Sequence, residues 1–136
     1  MATERTLCII KPDVYKVKAV GEIISWLEEE EFEIVIARRM TLTKSQAEEF
    51  YKEHKGKEFF SGLVEFMTSG KIFVAVLEGE NSIERYRQIM GNTDPKKASK
   101  ETMRGFYGTE LPHNAVHGSD SKKSAEREIS LLFQSF

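Results

Sequence analysis

Apolar positions along this chain follow two different periods, and the switches between them mark out its elements. Thr6 to Ile10 (TLCII) is short, apolar and β-branched, which predicts a strand. Lys11-Pro12-Asp13 should end it, because proline has no backbone donor and a fixed φ. Val20, Ile23, Ile24 and Leu27 then recur at three-to-four spacing, predicting a helix that runs out into four consecutive glutamates on a solvated end. Phe32 to Met40 is rich in β-branched residues and reads as the second strand. Thr43 with Gln46 has the capping-box pattern for a helix running to about His54. Phe59 to Met67 has helical spacing and stops at Ser69-Gly70. Lys71 to Glu78 (KIFVAVLE) is the most continuous strand and is expected to be central. Ser82 is predicted to cap a helix carrying Ile83, Tyr86, Ile89 and Met90, closed by Gly91-Asn92.

The remainder is less regular. Asp94 to His113 holds two of the three prolines and has no clear period, so it is expected to be a long surface loop with one helical turn near Lys100 to Arg104. Ala115-Val116 supplies a last short strand, and Asp120 or Ser121 can cap a final helix with Ala125, Ile129, Leu132 and Phe133 on one face. The order β-α-β-(α-α)-β-α-loop-β-α permits a doubly wound parallel sheet or a ferredoxin-like split arrangement. With about four strands the second is the smaller solution. The expected fold is therefore an α/β protein of the α+β sandwich type, ferredoxin-like βαββαβ, with a four-stranded antiparallel sheet and extra helices. A length of 136 residues suits one domain over 1–136. Such a fold hosts many functions and selects none.

Composition narrows the classes. Hydrophobic residues at 40%, charged residues at 31% and a net charge of -2 give an ordinary globular balance without the basic excess that would favour nucleic acid. No apolar stretch approaches the roughly 20 residues of a membrane span, and no leader or anchor is expected. The single cysteine, Cys8, lies in an apolar strand and reads as a buried structural thiol, which fits a reducing cytoplasm. Trp26 is likewise read as packing.

The densest polar cluster is Asn114-Ala115-Val116-His117-Gly118-Ser119-Asp120-Ser121, between a short strand and a helix start. Free N–H groups and the positive dipole end of a helix favour phosphate, and a neutral imidazole nearby can attack with a ring nitrogen. An unperturbed pKa near 6.5 makes the neutral form available at pH 7. Glu128 falls on the helix face that looks back toward this loop, where it can hold the ring of His117. An isolated loop histidine is more often unremarkable, and Ser119 to Ser121 taken alone are ordinary caps.

The surrounding residues change that balance. The string N-x-x-H-G-S-D-S resembles the active-site signature of the nucleoside diphosphate kinases. The resemblance extends through Thr6 to Asp13 (TLCIIKPD), Val20 to Ile24 (VGEII), Phe50 to Gly62 (FYKEHKGKEFFSG), Phe66 to Gly70 (FMTSG), Leu77 to Asn81 (LEGEN) and Met90 to Pro95 (MGNTDP), in matching order and spacing. It implies a ferredoxin-like sandwich that moves the γ-phosphate of a nucleoside triphosphate, mainly ATP, to a nucleoside diphosphate in two steps. His117 would be phosphorylated on Nδ1; the sequence itself does not fix that nitrogen. Lys11, Arg87, Thr93, Arg104 and Asn114 fall where the family contacts phosphate and ribose. Tyr51, Ser119 and Glu128 match supporting positions around the histidine.

Physical chemistry agrees with that assignment, since phosphoryl transfer needs charge placed around three equatorial oxygens. Lys11, Arg87 and Arg104 form the cationic set, with bidentate geometry open to the arginines. Phe59 and Leu63 match the positions that clamp the base, and Phe60 is expected in the core instead. Stacking is worth about 1–3 kcal/mol and accepts any base, which implies broad base and sugar tolerance and a role in maintaining NTP and dNTP pools. Mg²⁺ is implied as the cofactor, bridging the β- and γ-phosphates with no ligands from protein side chains. The resemblance further implies a cytoplasmic homo-oligomer, tetramer or hexamer, with no nucleic-acid or membrane partner. His54, among Lys52, Glu53 and Lys55, is read as part of a solvated face, while His113 adjoins Asn114 without matching a family position.

The loop from Asp94 to Leu111 departs from the common pattern, which has asparagine at Asp94, Pro-Gly at Lys100-Glu101 and aspartate at Phe106. The segment packs between subunits in many members, so these changes bear on assembly more than on chemistry. A competing reading is an RNA-binding module of the same plan, because GKIFVAVL faintly echoes an aromatic-bearing RNA-binding strand. TLCII offers no aromatic to stack a base. A third keeps the nucleotide site for regulation without significant turnover.

Overall fold

The computed structural model describes residues 3 to 133. Four strands, β1 (Thr3–Ile10), β2 (Glu33–Met40), β3 (Ile72–Glu80) and β4 (Val116–Gly118), form one sheet in the order β2-β3-β1-β4. All neighbours are antiparallel. This is the ferredoxin-like arrangement expected from the element order, with the continuous apolar strand β3 in the interior of the sheet.

Strand alternation sends neighbouring side chains to opposite faces. Leu7, Ile9, Ile72, Val74 and Val76 join a core with α3 (Lys44–Phe50), α4 (Phe60–Met67) and α7 (Lys122–Leu132). Cys8, Ile10, Ala75, Leu77 and Val116 join a second core with α1 (Pro12–Lys16), α2 (Val20–Glu29), α5 (Ser82–Met90) and α6 (Met103–Tyr107). Both faces of β1 and β3 are therefore covered.

Several boundaries differ from expectation for identifiable reasons. Pro12 ends β1 and also opens α1, since its fixed φ suits a first helical turn. Ser82 does not cap α5: Asn81 is the cap residue, at φ 49°, and makes no side-chain capping bond. Glu4 does that work instead, its Oε1 accepting from the Ile83 N–H at 3.0 Å while the Ser82 hydroxyl donates to the Glu4 carbonyl at 2.7 Å. The helix predicted to reach His54 splits into α3 and a 3-10 turn over Lys52–His54, behind the Thr43–Gln46 capping box that was expected. In the long loop, Asp94 caps a 3-10 turn over Pro95–Lys97 and Thr102 caps α6, so the helical turn lies a few residues beyond Lys100. Gly105 on α6 passes so close to Ser99 that an added Cβ would fall 1.9 Å from that carbonyl oxygen. Ser121, and not Asp120, caps α7.

Candidate active site

Register decides where His117 points. It sits opposite Ile9 in the β1–β4 ladder, which turns its ring to the face carrying α3 and α7. There Nε2 lies 2.9 Å from Glu128 Oε1, and Ser119 donates to the same oxygen at 2.7 Å. The Leu7 N–H in turn donates to Ser119 Oγ at 3.2 Å, fixing the hydroxyl to the central strand. Glu128 is only 6% exposed, so its carboxylate is an anchored acceptor. The ring of Phe50 meets His117 edge-on at 5.0 Å between centroids, closer than Tyr51 at 6.5 Å. His117 Nδ1 has no hydrogen-bond partner among the described residues.

The imidazole lines a cleft of about 690 Å³. Lys11, Tyr51, Arg87, Thr93, Arg104 and Asn114 line it too, as do Phe59 and Leu63. Of the site residues implied by the family resemblance, only Ser119 and Glu128 are absent from the lining, because they brace His117 from behind.

Main-chain geometry builds the inner end. Lys11, 6% exposed, donates from Nζ to Asn114 Oδ1 at 2.6 Å, and its N–H donates to the Ala115 carbonyl at 2.8 Å. Asn114 Nδ2 donates to the Thr93 carbonyl at 2.9 Å, tying three site residues together. Ala115 adopts φ 75°, a left-handed conformation costly for alanine, and Asp13 Oδ2 holds it by accepting its N–H at 3.1 Å. Burial, with the nearby Arg104 charge adding, pushes the Lys11 ammonium down to about 7; Asp13 opposes this. Burial raises the Asp13 carboxyl.

Arg104 donates from its two terminal nitrogens to the Gly91 and Val116 carbonyls, each at 3.0 Å, while Nε has no partner among the described residues. Burial lowers the guanidinium from its usual range. The atypical loop residues therefore leave Arg104 in the cleft. Arg87 is exposed at the rim on α5, and Asp120 lines the cleft beside it, its carboxyl held low by the Ser124 hydrogen bond. The Tyr51 hydroxyl is buried without a partner among the described residues, and burial raises it.

At the outer end Phe59 is 52% exposed, whereas Phe60, expected in the core, is half-buried and packs on it. His54 is not a member of a solvated face. Its ring lies 5.1 Å from Phe59 and stacks at 6.5 Å on Tyr51, and it lines the cleft. The charged neighbours concealed it; the 3-10 turn carries it back under Tyr51. Phe50 and Asp13 were also missed, since ring packing and a strained alanine leave no local pattern. His113 packs on Phe66 at 4.4 Å and does not line the cleft.

The family model for nucleoside diphosphate kinase matches residues 4–136. The chain belongs to the nucleoside diphosphate kinase family. The nucleoside diphosphate kinase of Wolbachia pipientis subsp. Culex pipiens is 53% identical over 133 residues, covering 98% of this chain and 96% of that protein. The crystal structure of the Aquifex aeolicus nucleoside diphosphate kinase superposes with a TM-score of 0.94 at 43% identity, covering 97% of this chain and 96% of its own. A halophilic nucleoside diphosphate kinase from Halobacterium salinarum in complex with CDP gives 0.94 at 42% identity, covering 97% and 88%. As a family member the chain is a phosphotransferase acting between nucleoside triphosphates and diphosphates. The RNA-binding alternative is not favoured, because RNA-binding sheets of this plan stack bases on an open face and here helices cover both. No described helix is long and apolar enough to cross a membrane.

Proposed function

We propose that His117 carries the phosphate in a two-step exchange with its Nδ1 as the acceptor. The observation that carries this reading is the 2.9 Å contact between His117 Nε2 and Glu128 Oε1. An ionised carboxylate only accepts, so Nε2 keeps its proton and the lone pair resides on Nδ1. Nδ1 attacks the γ-phosphorus, the bond to the β-phosphate oxygen breaks, and the nucleoside diphosphate leaves with that electron pair. The phosphorylated ring gains positive charge, which the Glu128 carboxylate offsets. A second diphosphate reverses the step, its terminal oxygen attacking phosphorus while the N–P bond breaks.

Arg87, Arg104 and Thr93 contact the phosphates, Lys11 and Asn114 the sugar hydroxyls, and Phe59 and Leu63 the base. Tyr51 and Ser119 support the histidine. The donor set suits Mg²⁺ arriving with the nucleotide: Asp120 and Glu58 are the only carboxylates among the cleft residues, and no cluster of three metal-binding side chains exists among the described residues. Bound with the nucleotide, the ion would neutralise charge on the phosphates, and Asp120 in the cleft would help hold it there. ATP is the main donor, and the protein works in the cytoplasm as a homo-oligomer; Val17 and Phe106, 68% and 65% exposed, are apolar surface suited to self-association.

The test is incubation with γ-labelled ATP and Mg²⁺, followed by a chase with GDP, CDP and dTDP. Acid-labile, base-stable label on the wild type alone, absent from His117→Ala and passed to all three acceptors, is the expected result. Label retained on His117→Ala would overturn it.

A further inference from the structure

The face of β4 opposite the His117 ring is gripped by one side chain that the chemistry above leaves unused. Tyr86 is the largest fully buried side chain among the described residues and belongs to α5, next to Arg87. Its Oη lies 3.1 Å from the main-chain carbonyl oxygen of His117 and 3.0 Å from Cys8 Sγ. A hydroxyl has one proton to give, and the carbonyl can only accept. With the Tyr86 proton on the carbonyl, the Cys8 thiol can donate to the tyrosine oxygen, and all three groups are satisfied. Burial raises both the thiol, to about 12, and the phenol, so both are neutral at pH 7.

Ring packing reinforces the bond. An added Cβ at Gly118 would lie 2.8 Å from two Tyr86 ring carbons and 2.6 Å from Met90 Cε, so the ring rests directly on the main chain of the residue after His117. Phe32 backs the ring at 6.1 Å in an edge-on contact. The β4 segment is three residues long and, among the described strands, pairs only with β1; Arg104 holds its Val116 carbonyl and Tyr86 its His117 carbonyl.

Resting on the histidine reading above, we propose that Tyr86 is a positioning residue for phosphoryl transfer, clamping the His117–Gly118 main chain so that the imidazole stays aligned with Glu128 and the cleft. It also ties that backbone to the helix that presents Arg87, so nucleophile and phosphate-binding cation share one frame. Reaction rates depend steeply on such alignment, because a displacement of about 1 Å can cost on the order of a hundredfold.

The experiment measures single-turnover labelling of the protein by γ-labelled ATP in wild type, Tyr86→Phe and Cys8→Ala, with ADP affinity and thermal melting on the same samples. Tyr86→Phe should label roughly tenfold more slowly with ADP affinity within about twofold of wild type, a split that lost packing alone does not produce. Cys8→Ala disturbs the same core but leaves the carbonyl its donor, and should label within about twofold of wild type. Should Tyr86→Phe fail to fold, Tyr86→Met, apolar and without a donor, carries the same prediction. Labelling of the Tyr86 variant at the wild-type rate, or an equal loss in Cys8→Ala, would overturn the inference while the histidine mechanism stands. No label on wild type would sink both.

Discussion

The two ends of the cleft are built by different means. At the inner end Lys11, Arg104, Asn114, Ser119 and Glu128 are all buried, and every one of them is tied by hydrogen bonds to strand, loop or helix. At the outer end Phe59 is half exposed, with the ring of His54 beside it and the aliphatic Leu63 in the same cleft lining. Pre-organised polar groups discriminate sharply because each leaves a costly unpaired partner when mismatched, whereas a stacking surface accepts any π-face. In the proposed mechanism the inner end fixes the groups that act on the phosphate every substrate shares, and the outer end tolerates the base that differs.

Removing the proposed nucleophile should break the inner end most completely. His117→Ala should lower exchange by roughly four orders of magnitude or more in a coupled assay, with nucleotide binding retained. Arg104→Ala should cost about 10²–10³-fold in kcat, and Arg104→Lys should recover only part of it, because an ammonium cannot span the Gly91 and Val116 carbonyls as the guanidinium fork does. An effect under tenfold would remove Arg104 from the phosphate-binding set.

Phe59→Ala addresses the outer end. It should weaken ADP, GDP and CDP binding by about 1–3 kcal/mol each, to a similar degree, as measured by calorimetry. A loss confined to one base would mean that the clamp reads base identity after all.

The smallest expected effect is a pH dependence from Lys11. Its folded pKa, about 7, is below the usual lysine value because burial disfavours the charged form. The nucleotide-free fold therefore binds fewer protons than the unfolded chain between pH 7 and about 10.5, and this group contributes stability that increases as pH rises through that window. Nucleotide binding, which favours the ammonium, runs the other way. Raising pH from 7 to 8 should weaken ADP binding by about fivefold from this group and be accompanied by proton uptake, visible as a buffer-dependent binding enthalpy.

The legible parts of this molecule were those set by short-range physics. A continuous apolar run gave β3 its interior place, the Thr43–Gln46 box marked the start of α3, and the glycine and polar run around His117 pointed to the cleft. Residues whose role depends on distant partners were not legible. Glu4 caps α5 from the neighbouring strand, far away in sequence, Asp13 holds Ala115 across the β1–β4 junction, and His54 turns inward only because a 3-10 turn follows α3. Whether His117 faces α7 or α5 is a matter of strand register, on which single-residue shifts reverse every side chain.

The most direct test of the account is to identify the phosphorylated nitrogen. Wild-type protein labelled with ¹⁵N-histidine, phosphorylated by ATP and Mg²⁺ and examined by ³¹P–¹⁵N correlation NMR, should show phosphorus bonded to Nδ1 of His117 with a proton retained on Nε2. Phosphorus on Nε2, the nitrogen held by Glu128, would contradict it.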